Sequence, residues 1–387
     1  MDDIYLDHAA TTPMRSEVQE VLADVLARTF GNASSIHSLG QDAKKVHEES
    51  RELVTSCIDA SPDELIFTSG GTESDNFAVR GTAYALKDKG NHIITTTIEH
   101  HAVLNCCKAL EEEGFDVSYV PVDSECLVEP EGIAEAVRPE TILITVMAAN
   151  NETGTIQPIA EIGEIAQKNG AVFHTDAVQA VGKIPVNLEG IGVDLLSISG
   201  HKIYGPKGIG ALYVRKGTSL RPLLYGGHHE RSLRPGTENV PGIAALAKAV
   251  KLAVEELPES EKALRFLREK LESGISKKLE AVRRNGSKDK SLPNILNMSF
   301  EGVDGESLLL NLDLLGFAVS TGSACTSGAT DPSHVLLAMG LSPQFAQSSL
   351  RFSFGRDNTE AHVDKLLEVL PDIVSRLREL SAVRMRD

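Results

Sequence analysis

The chain has 387 residues, enough for a large core and more than one domain, with ordinary globular proportions of 41% hydrophobic and 24% charged residues. A formal net charge of -17 argues against binding a phosphate backbone, which needs clustered basic surface, so no nucleic-acid partner is expected. No apolar run reaches membrane-spanning length, and the start Met1-Asp2-Asp3-Ile4-Tyr5 is unlike a signal peptide. The cysteines Cys57, Cys106, Cys107, Cys126 and Cys325 are irregularly spaced and odd in number, which reads as free thiols in a reducing, cytoplasmic compartment.

From Asp63 to Val214 short apolar runs alternate with longer amphipathic ones. Strands are expected at Glu64–Thr68, His92–Thr96, Asp116–Val120, Thr141–Met147, Ala171–His174, Asp194–Ser199 and Ile209–Val214. Helices are expected at Thr72–Leu86, Ala102–Glu113 and Ile159–Lys168. That rhythm describes a mostly parallel sheet covered on both faces, with the last strand antiparallel because its connection is so short. After Pro241 the character changes. Ala244–Leu279 reads as long helices broken near Pro258 and Gly274, followed by a strand at Ile295–Phe300 and helices near Ser307–Leu314 and Pro332–Met339. A strand at Leu350–Phe354 and a final helix from Thr359 complete the chain, and Asn285–Lys290 reads as an exposed loop. The fold class is α/β: a large domain over 15–257, and a smaller α+β domain built from 1–14 and 258–387 that carries Cys325.

Chemistry gathers where strands end. Ser199-Gly200-His201-Lys202 follows the apolar run Val193–Ile198. A desolvated lysine there is a competent nucleophile and Schiff-base former; the plainer alternative is a loop lysine after a core strand. Ser69–Ser74 joins a strand to a helix, and its Gly71 and Thr72 offer backbone N–H groups and a helix N-terminus to an anion, or simply make a tight turn. The spacing is neither that of a dinucleotide fingerprint nor of a Walker loop. Asp176 closes the strand ending His174-Thr175-Asp176, where it suits a protonated ring nitrogen or a helix cap, and Gln179 reaches the same place one turn later. His100, in Glu99-His100-His101, is free to stack on a flat ring or shuttle protons. Asn151, in Asn150–Gly154, offers an amide to an anionic oxygen; both residues are equally at home in caps and turns.

His100, His101, Cys106 and Cys107 match no standard zinc spacing, so no metal is expected. Cys325 sits in the small, polar run Ser320–Ala329, which reads as a loop presenting an accessible thiol or as an inert turn. Arg351 begins the last strand, suited to bidentate carboxylate capture or to a structural salt bridge. What favours a site is position: several strands deliver polar groups to one carboxyl-end rim, where open α/β sheets bind ligands.

With these pieces assembled, the chain resembles the cysteine desulfurases of the nitrogen-fixation and iron–sulfur-cluster type, within the class V aminotransferase family. The resemblance runs nearly end to end, through Tyr5–Thr12, Phe30-Gly31-Asn32, Thr68–Ser74, Asn150–Gly154, His174-Thr175-Asp176, Ser199–Lys202, Arg234-Pro235-Gly236-Thr237 and Gly322–Ser327. It implies an aspartate-aminotransferase-like fold and pyridoxal 5'-phosphate as cofactor. Lys202 would hold that cofactor as a Schiff base and move protons. Asp176 would pair with the ring nitrogen, Gln179 with the ring hydroxyl, and His100 would stack on the ring. Gly71, Thr72, Ser199 and His201 would hold the phosphate, with Thr237 reaching it from the partner subunit of a homodimer. Asn151 and Arg351 would bind the carboxylate of L-cysteine, and Cys325 would take its sulfur as a persulfide, releasing L-alanine. The sulfur would pass to an iron–sulfur scaffold or another acceptor protein, with Cys325 the one candidate for an iron–sulfur ligand. Pro235 departs from the pattern, standing where relatives often carry a small residue, and the chain ends soon after its last helix. Two other readings remain at this point. A selenocysteine lyase or other class V enzyme would share the cofactor site, and a non-enzymatic thiol carrier would need Cys325 but not Lys202.

Overall fold

The structure, a computed structural model, describes residues 3–321 and 332–384, so Cys325 lies outside the described residues. Its central sheet has seven strands, in the spatial order Leu65–Thr68, Gly210–Val214, Leu195–Ser199, Val172–Asp176, Thr141–Thr145, His92–Thr96, Asp116–Val120. Gly210–Val214 runs antiparallel to both neighbours, as its short connection requires, and every other pairing is parallel. The remaining strands therefore all point one way. Leu65–Thr68, His92–Thr96, Thr141–Thr145 and Leu195–Ser199 are buried along their whole length. Near-continuous apolar and β-branched runs are what a sheet covered on both faces demands.

The helix Gly71–Leu86 lays Phe77, Ala78, Val79 and Ala83 on the sheet, beside His101–Glu112. Two further helices, Ser16–Arg28 and Ser38–Cys57, pack against Val240–Glu255, burying Val25, Ala43, Val240 and Ala244. The sequence reading did not anticipate this pair. The buried stripe of Ser38–Cys57 includes His47, Ser50, Arg51 and Thr55, so little apolar periodicity announces it.

A second core collects Leu271, Ile275, Met298, Phe300, Leu312, Phe352 and Leu370, together with Ile4 and Leu6 from the start of the chain. A fully buried Phe such as Phe300 or Phe352 contributes about 1.5–3 kcal/mol through apolar burial. These side chains line an antiparallel sheet ordered Ser349–Ser353, Ile295–Phe300, Val282–Asn285. Ile4–Tyr5 pairs in parallel with Phe317–Ala318. Two local expectations are corrected. Pro258 does mark a boundary, at the first turn of Leu257–Lys278, but Gly274 lies inside that helix. A Cβ at Gly274 would run into Leu367 of the final helix Glu360–Arg384, so this glycine permits close packing rather than a break. The expected loop is exposed at Lys288, Asp289 and Lys290, but Asn285 and Ser287 are buried: Asn285 Nδ2 donates to Asn297 Oδ1 and Ser299 Oγ, both at 2.8 Å.

Candidate active site

Because the strands share one sense, the segments leaving Thr68, Thr96, Thr145, Asp176 and Ser199 emerge on the same rim. They enclose a cavity of about 310 Å³ lined by ten of the expected residues: Gly71, Thr72, His100, Asn151, Asp176, Gln179, Ser199, His201, Lys202 and Arg351. Thr237 is not among its lining residues; it is exposed, in the segment before Val240–Glu255. Cys325 lies outside the described residues.

Lys202 ends a short 3-10 turn, Gly200–Lys202, directly after the strand Leu195–Ser199. Its Nζ donates to the Ala9 and Ala10 carbonyls at 2.5 and 2.7 Å. Gln179 Nε2 donates to the same Ala9 carbonyl at 2.9 Å, while among the described residues Gln179 Oε1 is buried without a partner. The turn is fixed from behind by Lys183, whose buried Nζ donates to the Lys202 carbonyl at 2.9 Å. Burial, and then the nearby Lys202, push the Lys183 amine down to about 7. His201 accepts or donates at Thr11 Oγ1, 3.1 Å from its Nδ1, and burial with the neighbouring lysines lowers it to about 4, so its ring is neutral at pH 7.

Asp176 is buried, and its Oδ1 accepts from the Val178 N–H at 2.9 Å. Burial pushes this carboxyl up, opposed by His100 and Lys202 nearby. His100 caps the helix His101–Glu112, accepting from Ala102 N–H through Nδ1 at 3.1 Å, which fixes its ring at the cavity wall. The phosphate-type cup is shaped by Gly70, at φ +151°, and by Gly71, where a Cβ would come within 2.9 Å of Val178. Glu73 locks the same turn, accepting from Ser69 N–H at 2.7 Å and from Arg234 Nε at 2.8 Å.

Arg351 makes the structural salt bridge and also lines the cavity. Its Nη2 pairs with Asp7 at 2.8 Å and its Nη1 donates to the Asn151 carbonyl at 2.8 Å, yet among the described residues its Nε is buried without a partner. An incoming carboxylate would meet a guanidinium already oriented, with donor capacity left over.

Four contributors escaped the sequence reading. The Ala9 and Ala10 carbonyls carry no side-chain signal at all. Lys183 looks like any surface lysine. Asp75, also in the cavity lining, had a faint signal: it lies one turn beyond Thr72, on the same face as the buried Ala78, Val79 and Thr82.

Set beside known proteins, the chain matches the family described as aminotransferase class-V over residues 4–366. It is similar to the cysteine desulfurase IscS of Dictyoglomus turgidum, 50% identical over 379 residues that span 98% of this chain and 96% of that protein. The cysteine desulfurase IscS of Methanosarcina thermophila is likewise 50% identical over 384 residues, spanning 99% and 95%. Among solved structures, a NifS-like protein superposes with a TM-score of 0.91 at 41% identity, covering 97% of this chain and all 100% of that one. A protein solved as SspA in complex with cysteine gives 0.81 at 38% identity, covering 91% and 98%.

Proposed function

Because the chain belongs to the class-V aminotransferase family and, within it, to the cysteine desulfurases, we propose that it converts L-cysteine to L-alanine, captures the sulfur as a persulfide on Cys325, and passes it to acceptor proteins of iron–sulfur cluster assembly. The chain is an enzyme and uses pyridoxal 5'-phosphate. The observation that carries the reading is the convergence of Lys202, Asp176, Gln179 and His100 on one cavity.

The residues present suit that cofactor. Gln179 Oε1 is a buried acceptor with no protein partner, the cup at Gly71 admits no side chain, and Asp176 is a buried acid that a ring cation would stabilise. Lys202 would hold the cofactor, Gly71, Thr72, Ser199 and His201 its phosphate, Gln179 its ring hydroxyl, and His100 one face of its ring. When bound, the cofactor supplies an electron sink for negative charge developing on the substrate.

The chain's own groups do the rest. Asp176 keeps the ring nitrogen protonated, because a buried carboxylate is stable only beside a cation. Lys202 Nζ, displaced from the Ala9 and Ala10 carbonyls, takes up and returns protons at the substrate. Arg351 and Asn151 orient the substrate carboxylate, Arg351 exchanging or sharing its contact with Asp7. The Cys325 thiolate attacks the substrate sulfur, so that one S–S bond forms as the substrate C–S bond breaks. The balance is L-cysteine plus a thiol giving L-alanine plus a persulfide.

We also read the chain as two domains, 15–257 and 1–14 with 258–387, supported by the second core that Ile4 and Leu6 share with Phe300 and Leu370. A homodimer in which Thr237 completes the partner's phosphate cup is supported by the large apolar side chains of Phe30, Ile36 and Tyr225, which are 76%, 95% and 92% exposed. A cytoplasmic location is supported by Cys57, Cys106, Cys107 and Cys126 being free thiols. Incubating the purified protein with L-cysteine and measuring alanine and enzyme-bound sulfur together tests the whole reading. Equal yields of the two are expected, and cysteine consumption without alanine would refute it.

A further inference from the structure

Asp75 is the residue of the cavity that the proposed chemistry leaves unused. It is 1% exposed, lies on the helix Gly71–Leu86, and lines the cavity with Asp176. Among the described residues its Oδ1 is buried without a hydrogen-bond partner. Among the described residues no Lys or Arg forms an ion pair with it; the nearest basic group is His174, with Nε2 3.7 Å from Asp75 Oδ1. That ring is no cation. Its Nδ1 is 2.8 Å from Thr145 Oγ1 and its Nε2 is 3.0 Å from Ser197 Oγ, and full burial lowers it to about 3.

The other groups facing Asp75 make ionisation harder still. Asp176, on the neighbouring strand, repels a charge on Asp75, and Glu99, buried after the strand His92–Thr96, adds to that repulsion only when ionised, its own carboxyl being pushed up to about 8 by burial. From the helix His101–Glu112 it is faced by Cys106, a buried thiol. Only the Ser197 hydroxyl favours the anion. Glu99 differs in being fully bonded: Thr96 Oγ1 donates to it at 2.6 Å and Met147 N–H reaches both its oxygens at 3.0 and 3.1 Å. A buried carboxylate with no cation beside it and a single hydroxyl to favour its charge costs far more than a buried carboxylic acid.

We propose that Asp75 is a positioning residue held as a neutral carboxylic acid beneath the cavity, so that Asp176 alone presents negative charge to the cofactor ring. Burial, and after it the charge of Asp176, drives the Asp75 carboxyl well above its usual range. The ring nitrogen then meets one anion rather than two, and Asp75 contributes shape and a hydrogen-bond donor instead of charge. This inference rests on Asp176 being the partner of the ring nitrogen.

Infrared spectroscopy of the cofactor-free parent protein tests it directly. At pH 7 a protonated-carboxyl band should be present, shift when aspartate carries a 13C carboxyl, and disappear in Asp75→Asn. Glu99, pushed up to about 8 by burial, supplies a band that ignores the aspartate label; the absence of any label-shifted band, or a label-shifted band that persists in Asp75→Asn, would overturn the proposal, because the proton would then sit on Asp176. If the variant does not fold, an absent label-shifted band in the parent overturns it equally. In the holoenzyme, the midpoint of the pH-dependent change in cofactor absorbance should move by less than about 0.3 unit in Asp75→Asn, since one neutral group replaces another. Removal of a true charge at that range would move it by about one unit or more, and such a shift would also overturn the proposal. Asp176→Asn separates the two failures. If its cofactor spectrum equals the parent's, the ring-nitrogen reading falls, while the infrared band still decides Asp75.

Discussion

Glu230 is where the structure makes its largest electrostatic prediction. It is buried, with Arg51 Nη2 at 2.6 Å and His47 Nε2 at 2.9 Å from Oε1, and Phe67 N–H at 2.8 Å from Oε2. The chain around it is strained: Glu230, Arg231 and Ser232 take φ of 40°, 57° and 64°, each costing about 1–3 kcal/mol for a residue with a Cβ. The buried network holds that turn in place, and Arg234, two residues on, then reaches Glu73 beside the Gly70–Gly71 turn. Burial alone would raise the Glu230 carboxyl, but His47, Arg51 and the Phe67 N–H outweigh it and bring it from 4.5 down to about 2. A depression of that size corresponds to about 3 kcal/mol. Breaking a buried ion pair, at about 3–5 kcal/mol, gives a consistent figure. Glu230→Gln should therefore lower the melting temperature of the cofactor-free protein at pH 7 by about 4–6 °C. Since the folded-state value is depressed, the contribution is fully present above pH 4.5 and is lost as pH falls towards 2, so the gap between parent and variant should close on acidification. Arg51→Met should cost a similar amount, and the double variant much less than the sum of the two. Melting curves across that pH range read all three. A gap below about 2 °C at pH 7, or one that does not narrow in acid, would refute the reasoning.

The remaining predictions concern turnover. Lys202→Ala should abolish borohydride-trapped cofactor, and peptide mapping of the reduced parent should find the label on Lys202; a label elsewhere sinks that role. Cys325→Ser should bind the cofactor with the parent's absorbance but form no persulfide, whereas changing Cys57, Cys106, Cys107 or Cys126 should leave most activity. Mass spectrometry after L-cysteine treatment should find one added sulfur on the Cys325 peptide, and its location on Cys106 or Cys107 would overturn the assignment. Mixing inactive Lys202→Ala and Thr237→Ala chains should restore one intact cup per mixed dimer, and no recovered activity would count against the shared site.

The contrast between what sequence conveys and what it hides follows from periodicity and direction. Leu65–Thr68, Thr141–Thr145 and Leu195–Ser199 were legible because a strand covered on both faces needs an unbroken apolar or β-branched run, and little else in a chain of this composition resembles one. Parallel connectivity then did the assembling. Strands of one sense bring their ends to one rim, so Ser199–Lys202, Asp176 and Gly71 could be grouped before any distance was known. The helix Ser38–Cys57 escaped because Arg51 and His47 lie on its buried stripe, their polarity matched by Glu230, 179 and 183 residues away.

Buried polar groups are intelligible only with their partners, and those partners are remote in sequence. Lys202 lies 193 residues from the Ala9 carbonyl it contacts, and Arg351 lies 344 from Asp7. A backbone carbonyl has no residue signature, so no pattern could foretell that the chain's start would supply acceptors for the lysine. Asp75 is the converse case, a buried acid that stands out because a cation is missing beside it. Sequence shows such a residue as one more polar position on a helix; only burial and the unpartnered Oδ1 turn it into a chemical question. The parts of the site that propensity and topology determine can thus be read from the chain alone. Which acid keeps its proton is decided by charges that folding brings together.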